Sequence, residues 1–78
     1  MIQERVMRLL KACRERKRLI DRMEWIAAVA YQQGNDTYAD RVAAIRLRIV
    51  YQLWDMQSIL EFVYFVTPID QRYEEVLQ

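Results

Sequence analysis

The chain has 78 residues and a formal net charge of +1, and 54% of its residues are hydrophobic. These values indicate one small domain with more apolar surface than a single short core can hide. The absence of histidine, together with one cysteine and one glycine, excludes imidazole catalysis, histidine metal ligands, a structural zinc site and a glycine-rich phosphate loop. We therefore expect no enzymatic activity, no cofactor, no metal site and no small-molecule substrate.

A first helix is predicted over residues 2–32. Apolar residues recur there at alternating spacings of four and three, which keeps one face of a helix turned toward a partner helix. The members of this first stripe are Ile2, Val6, Leu9, Cys13, Arg16, Ile20, Met23, Ala27 and Ala30. Gly34 and Asn35 favour a turn over residues 33–36, and Asp36 or Thr37 is expected to cap the next helix.

A second helix is predicted over residues 37–66, with a stripe of the same spacing. Its members are Tyr38, Val42, Ile45, Ile49, Gln52, Met56, Ile59, Val63 and Val66. If the chain reverses at Gly34, the two stripes face each other as an antiparallel, coiled-coil-like hairpin. The polar members, Arg16 and Gln52, then share one layer, which we expect to be structural and to fix the register. Asp55 is a candidate ion-pair partner for Arg16.

A short third helix is predicted over residues 68–77. Thr67 and Pro68 are typical of a helix cap followed by the first helical residue. The fold class is thus all-α: a single domain over residues 1–78, made of a long hairpin and a short C-terminal helix. The excess of apolar residues predicts that it forms a homodimeric helical bundle.

The second helix is apolar on more than one side. Val50, Trp54 and Phe65 point away from the predicted seam, with Tyr51 and Phe62 at its flank. A helix of this kind is normally buried on several sides, so the third helix or a second copy is one candidate to cover it. The other is a different protein that binds to Tyr51, Trp54, Phe62 and Phe65.

The first helix carries a basic face. Its members recur at spacings of three and four: Arg8, Lys11, Arg14, Arg18 and Arg22. Such a face supplies phosphate affinity without sequence readout, or contacts an acidic protein. The competing interpretation is a solvated face with local ion pairs, neutralised by the acidic residues 51–78 beside it.

The first residues of the chain and its most apolar stretch favour a cytoplasmic protein. The first residues lack the apolar core and cleavage site of a secretory signal. Residues 49–66 contain Gln52, Asp55 and Glu61, so we expect no membrane span. The single cysteine cannot form an internal disulfide, which favours a reducing compartment.

Residues 41–50, followed by Pro68, Asp70, Arg72, Tyr73, Val76 and Leu77, resemble the N-terminal helical region of small phage transcription regulators of the sigma-region-4-like kind. The resemblance implies a phage or mobile-element origin and a dimerising or docking hairpin. The helix-turn-helix of that family has no counterpart in residues 1–78.

Taken together, these features favour a non-enzymatic protein-binding module, a phage or mobile-element regulator or inhibitor that occupies a surface of a host protein. The alternative is a nucleic-acid-binding helical bundle that uses the basic face of the first helix.

Overall fold

The computed structural model describes residues 3–68 and shows a helical hairpin. Helix α1 (Glu4–Gln32) packs against helix α2 (Asp36–Phe62), and the molecule measures 50 × 22 × 15 Å. The predicted all-helical hairpin is therefore confirmed. The third helix predicted over residues 68–77 lies outside the described residues except for Pro68, and dimerisation stays a prediction.

The reversal between the helices uses three residues. Gly34 adopts a φ of 76°, which lets the Asn35 N–H donate to the Ala30 carbonyl at 2.9 Å and the Gly34 N–H to the Tyr31 carbonyl at 3.0 Å, as in a Schellman cap. The Asn35 side chain then accepts from the Tyr38 N–H at 3.4 Å. Asn35 thus caps α2, in place of the predicted Asp36 or Thr37, because it ends one helix and begins the next.

The core is a single seam between the helices. The buried side chains of α1 are Val6, Leu10, Cys13, Ile20, Ala27 and Ala30, five of which belong to the predicted stripe. On α2 the buried side chains are Ala39, Val42, Leu53 and Leu60. Only Val42 belongs to the stripe predicted there.

The seam of α2 is therefore rotated relative to the prediction, by less than one residue step of about 100°. Ala39, Leu53 and Leu60 occupy the core, whereas their predicted neighbours Tyr38, Gln52 and Ile59 are exposed. Ile45 and Val63 are also exposed rather than in the seam. Periodicity could not separate the two rows, because α2 has apolar residues in both.

The longitudinal register of the two helices agrees with the prediction. The Arg16 Nε donates to the Gln52 Oε1 across the hairpin at 3.3 Å. The rotation of α2 places this pair beside the seam, with Arg16 half-buried and Gln52 exposed. The predicted pairing is thus present, at the rim of the core.

Helix α2 ends at Phe62, four residues before the predicted end at Val66. Phe65 adopts a φ of 57°, and the Val66 N–H donates back to the Leu60 carbonyl at 2.8 Å. This turn returns the Val66 side chain to the core cluster that contains Leu10 and Leu60. The last predicted helical turn is therefore absent, and the turn after Phe62 buries Val66 instead.

Phe65 combines a left-handed backbone with an aromatic side chain that is 88% exposed. We expect Phe65→Gly to raise the free energy of unfolding by about 1 kcal/mol, because glycine adopts this φ without the steric cost of a Cβ. Chemical denaturation measures the change. Phe65→Ala is the matched control, because it removes the same ring and keeps the Cβ. Equal stabilities of the two variants would contradict a strained Phe65.

Candidate functional site

The outer face of α2, opposite the seam, presents large aromatic side chains to solvent. Tyr51 is 53% exposed, Trp54 57% and Phe62 75%, and their spacing places them on one side of the helix. Phe65 follows directly after the helix and is also exposed. We call these four residues the aromatic surface.

Tyr51 and Trp54 contact each other within the aromatic surface. Their ring centroids lie 5.5 Å apart with an interplanar angle of 78°, an edge-to-face pair whose geometry is favoured by the ring quadrupoles. Each ring restricts the other, so less side-chain entropy remains to be lost when a partner covers them.

Val50 was predicted to point away from the seam, and this prediction is wrong. Val50 is half-buried and packs against the core cluster. The rotation of α2 that exposes Gln52 and Ile59 turns Val50 toward α1. Val50 is therefore not part of the outward face of α2, where the exposed aliphatic residue beside the aromatic rings is Leu47.

The five residues of the basic face lie on the outer side of α1. Arg8, Lys11, Arg18 and Arg22 are exposed and Arg14 is half-buried. Arg8 pairs with Glu4 at 2.9 Å, and within residues 3–68 the other four cations form no ion pair. As far as residues 3–68 show, the basic face thus keeps most of its charge available to solvent.

Asp55 and Glu61 of α2 form no ion pair with the basic face, and the other acidic residues expected to neutralise it lie outside the described residues. The ion pair that joins the helices in the described part of the chain is between Arg46 of α2 and Glu24 of α1, at 3.5 Å. Here the cation comes from α2 and the carboxylate from α1, which is the reverse of the expected arrangement. The basic face lies on the side of α1 that points away from α2, beyond the reach of Asp55 and Glu61.

Trp25 is a candidate site residue that the sequence reasoning missed. It is 67% exposed and lies three residues after Arg22 on α1, next to the end of the basic face. An indole beside cations is a suitable stacking platform for a base or an arginine. The feature of the sequence that could have identified Trp25 is its position outside the predicted apolar stripe.

Arg16 and Gln52 line a groove between the helices together with Glu15, Leu19 and Ile49. The Arg16 Nη1 also donates to the Ala12 carbonyl at 3.5 Å. The expected ion pair between Arg16 and Asp55 is absent from residues 3–68. Because Arg16 is only half-buried, water can solvate its remaining donors.

Cys13 lies in the seam. Burial raises the pKa of its thiol, and the nearby Arg16 charge offsets part of that increase. A thiol that stays protonated is a poor nucleophile. Among residues 3–68, no three His, Cys, Asp or Glu side chains lie close enough together to hold a metal ion.

The chain matches no family model, no curated protein and no solved structure. Neither α1 nor α2 contains an apolar stretch long enough to cross a membrane. Functional inference therefore rests on the surfaces themselves.

The turn end of the hairpin offers a test of its geometry. The Tyr31 hydroxyl donates to the Asp40 Oδ1 at 2.5 Å. The pKa of Tyr31 is raised by this hydrogen bond, then by partial loss of water, and then by the negative charges of Asp40 and Asp36.

We expect the Tyr31 ring to titrate above the ordinary tyrosine range in an NMR titration, and Asp40→Asn to bring its pKa down. Because the pKa is higher in the folded chain, the stabilisation is complete below the ordinary tyrosine pKa and is lost as pH rises through the raised value. An unchanged Tyr31 titration in Asp40→Asn would show that the contact does not persist in solution.

Proposed function

We propose that this chain is a non-enzymatic protein-binding module whose aromatic surface docks onto another protein. The observation that carries the proposal is the exposure of Tyr51, Trp54 and Phe62 together on the outer face of α2. Several large apolar side chains exposed on one side of a small protein are typical of a surface that a partner covers.

The chemistry of this surface is that of an interface anchor. Tryptophan and tyrosine bury a large apolar area and keep a polar tip for one hydrogen bond, which is why they are enriched among the residues that dominate binding energy. The edge-to-face pair of Tyr51 and Trp54 holds two such side chains side by side. A concave apolar site on the partner is its natural complement.

The cellular role that we infer follows the resemblance of the sequence to small phage regulators. In this role the chain is a dimeric phage or mobile-element regulator or inhibitor. It acts in the cytoplasm by occupying a surface of a host protein. A lone, buried cysteine that stays protonated suits a reducing compartment.

A second candidate function is nucleic-acid binding by the outer face of α1. It is favoured by the unpaired state of Lys11, Arg18 and Arg22 in the described structure and by the exposed Trp25 beside them. Four to five cations along one helix supply sequence-independent phosphate affinity, and Trp25 supplies stacking. Glu15 lies beside this face, toward the groove between the helices, and reduces the net positive charge.

We expect Trp54→Ala to weaken binding of the captured protein partner by about 2 kcal/mol or more, the range of interface anchors. Affinity capture from a host lysate with mass spectrometry identifies the partner, and calorimetry with the purified partner gives the affinity. Trp25→Ala is the matched control, because it removes an equally large exposed indole from the other helix. It should change the affinity little.

Charge reversal at Arg8, Lys11 and Arg18 distinguishes the second candidate. If the aromatic surface is the site, this variant keeps most of its affinity, since exposed rim charges contribute little at physiological salt. A folded charge-reversed variant that is inactive, beside a fully active Trp54→Ala, would favour nucleic acid. Binding that falls steeply with salt would point the same way.

A further inference from the structure

The two long edges of the hairpin differ in chemistry. One edge carries exposed or half-buried aliphatic side chains from both helices, which we call the apolar edge: Leu19, Ile45, Ile49, Ile59 and Val63. Leu19 and Ile49 line the same groove across the hairpin. Ile45 and Ile59 lie seven residues before and after Gln52 of that groove, so they continue one row along α2.

On the opposite edge, polar contacts of Arg46 bridge the two helices. Arg46 reaches across from α2 and donates its Nε to the Ile20 carbonyl at 3.3 Å, and its Nη2 contacts Glu24 at 3.5 Å. Charged groups that already pair in this way resist further desolvation. An additional helix therefore packs more favourably on the apolar edge.

The surface area of the chain supports one large further interface. A compact protein of 9.5 kDa exposes roughly 5000 Å², whereas this chain exposes 6156 Å². A standard stable interface removes about 800 Å² from each partner. The elongated hairpin thus has more surface than a compact chain of its mass, enough for one interface of standard size.

The apolar edge is also self-complementary. Its α2 row reads Ile45, Gln52, Ile59, with the polar residue at the centre and isoleucines at equal distances on either side. Such a row suits two-fold symmetry, in which the same patch of both copies is paired. Glu15 and Arg16 are neighbours in the central groove, so each copy offers the opposite charge to the other.

We propose that the apolar edge is the homodimer interface. A second copy of this chain packs on Leu19, Ile45, Ile49, Ile59 and Val63 to form a four-helix bundle, and the aromatic surface on the outer face of α2 stays free. This inference rests on the dimeric state included in the proposed function and assigns its location. It also separates self-association from partner binding on the surface of α2.

The chain provides a matched pair of positions for the test. Ile45 and Leu47 are both aliphatic, both 49% exposed, and two residues apart on opposite sides of α2. We expect sedimentation equilibrium at micromolar concentration to give a dimer for the natural chain and for Leu47→Glu. Ile45→Glu should weaken dimerisation roughly 100-fold or more, because it forces an unpaired carboxylate into the interface. Circular dichroism reports whether both variants remain helical.

If Ile45→Glu fails to fold, a pair of cysteine variants that disturb the helix less tests the same interface. The thiols introduced by Ile45→Cys and by Leu47→Cys have equal access to a maleimide in the monomer, while the buried Cys13 reacts slowly. At concentrations that favour the dimer, the thiol at position 45 should react at least several-fold more slowly than the thiol at position 47. Dilution should remove the difference.

Three results would overturn the assignment: a monomeric natural chain, dissociation by Leu47→Glu as strong as by Ile45→Glu, or equal thiol reactivity at high concentration. None of them decides the proposed partner binding, because that is measured separately by the loss of affinity in Trp54→Ala. A monomer that still binds its partner through Trp54 would refute the dimer interface alone.

Discussion

The contact line between two helices limits how much apolar surface this chain can bury. Two packed helices share one seam, so each hides a single stripe of side chains from water. Helix α1 fits this limit, because its other sides are largely charged. Helix α2 does not, because Leu53 fills the seam while Ile45 lies at one edge and Trp54 on the outer face. Every surface of functional interest on α2 follows from this surplus.

The tight turn decides which row of α2 enters the seam. A connection of three residues holds the helices close together near Gly34, where the facing side chains of α1 are Ala27 and Ala30. Ala39 fits against them and is fully buried, whereas the ring of Tyr38 is too large and remains exposed. Periodicity alone predicts that a seam exists and which residues share a level. The choice between neighbouring rows depends on this close approach, which a pattern of hydrophobic residues does not encode.

Other differences between sequence and structure also have local causes. Residues 63–66 continue the apolar spacing, but this β-branched and aromatic run has weak helix propensity, and Thr67 precedes a proline that disfavours helical backbone there. The helix therefore ends at Phe62. The exposed residues Tyr51, Trp54 and Phe62 were predictable because α2 carries more apolar residues than one stripe needs. Trp25 was harder to identify, because a single aromatic residue off the apolar stripe produces no periodic signal.

The hairpin separates different chemistries onto different sides. Cations line the outer face of α1, most of them without an ion pair among residues 3–68. Aromatic rings lie on the outer face of α2, and one edge is aliphatic while Arg46 bridges the helices on the other. Apolar contact supplies most of the affinity of an interface, whereas charge mainly steers the encounter and its orientation. A partner protein bound at Trp54 and a second copy packed on Ile45 would contact different surfaces, so both could bind at once. The outer face of α1 would remain exposed in that assembly, with its positive charge doubled across the dimer.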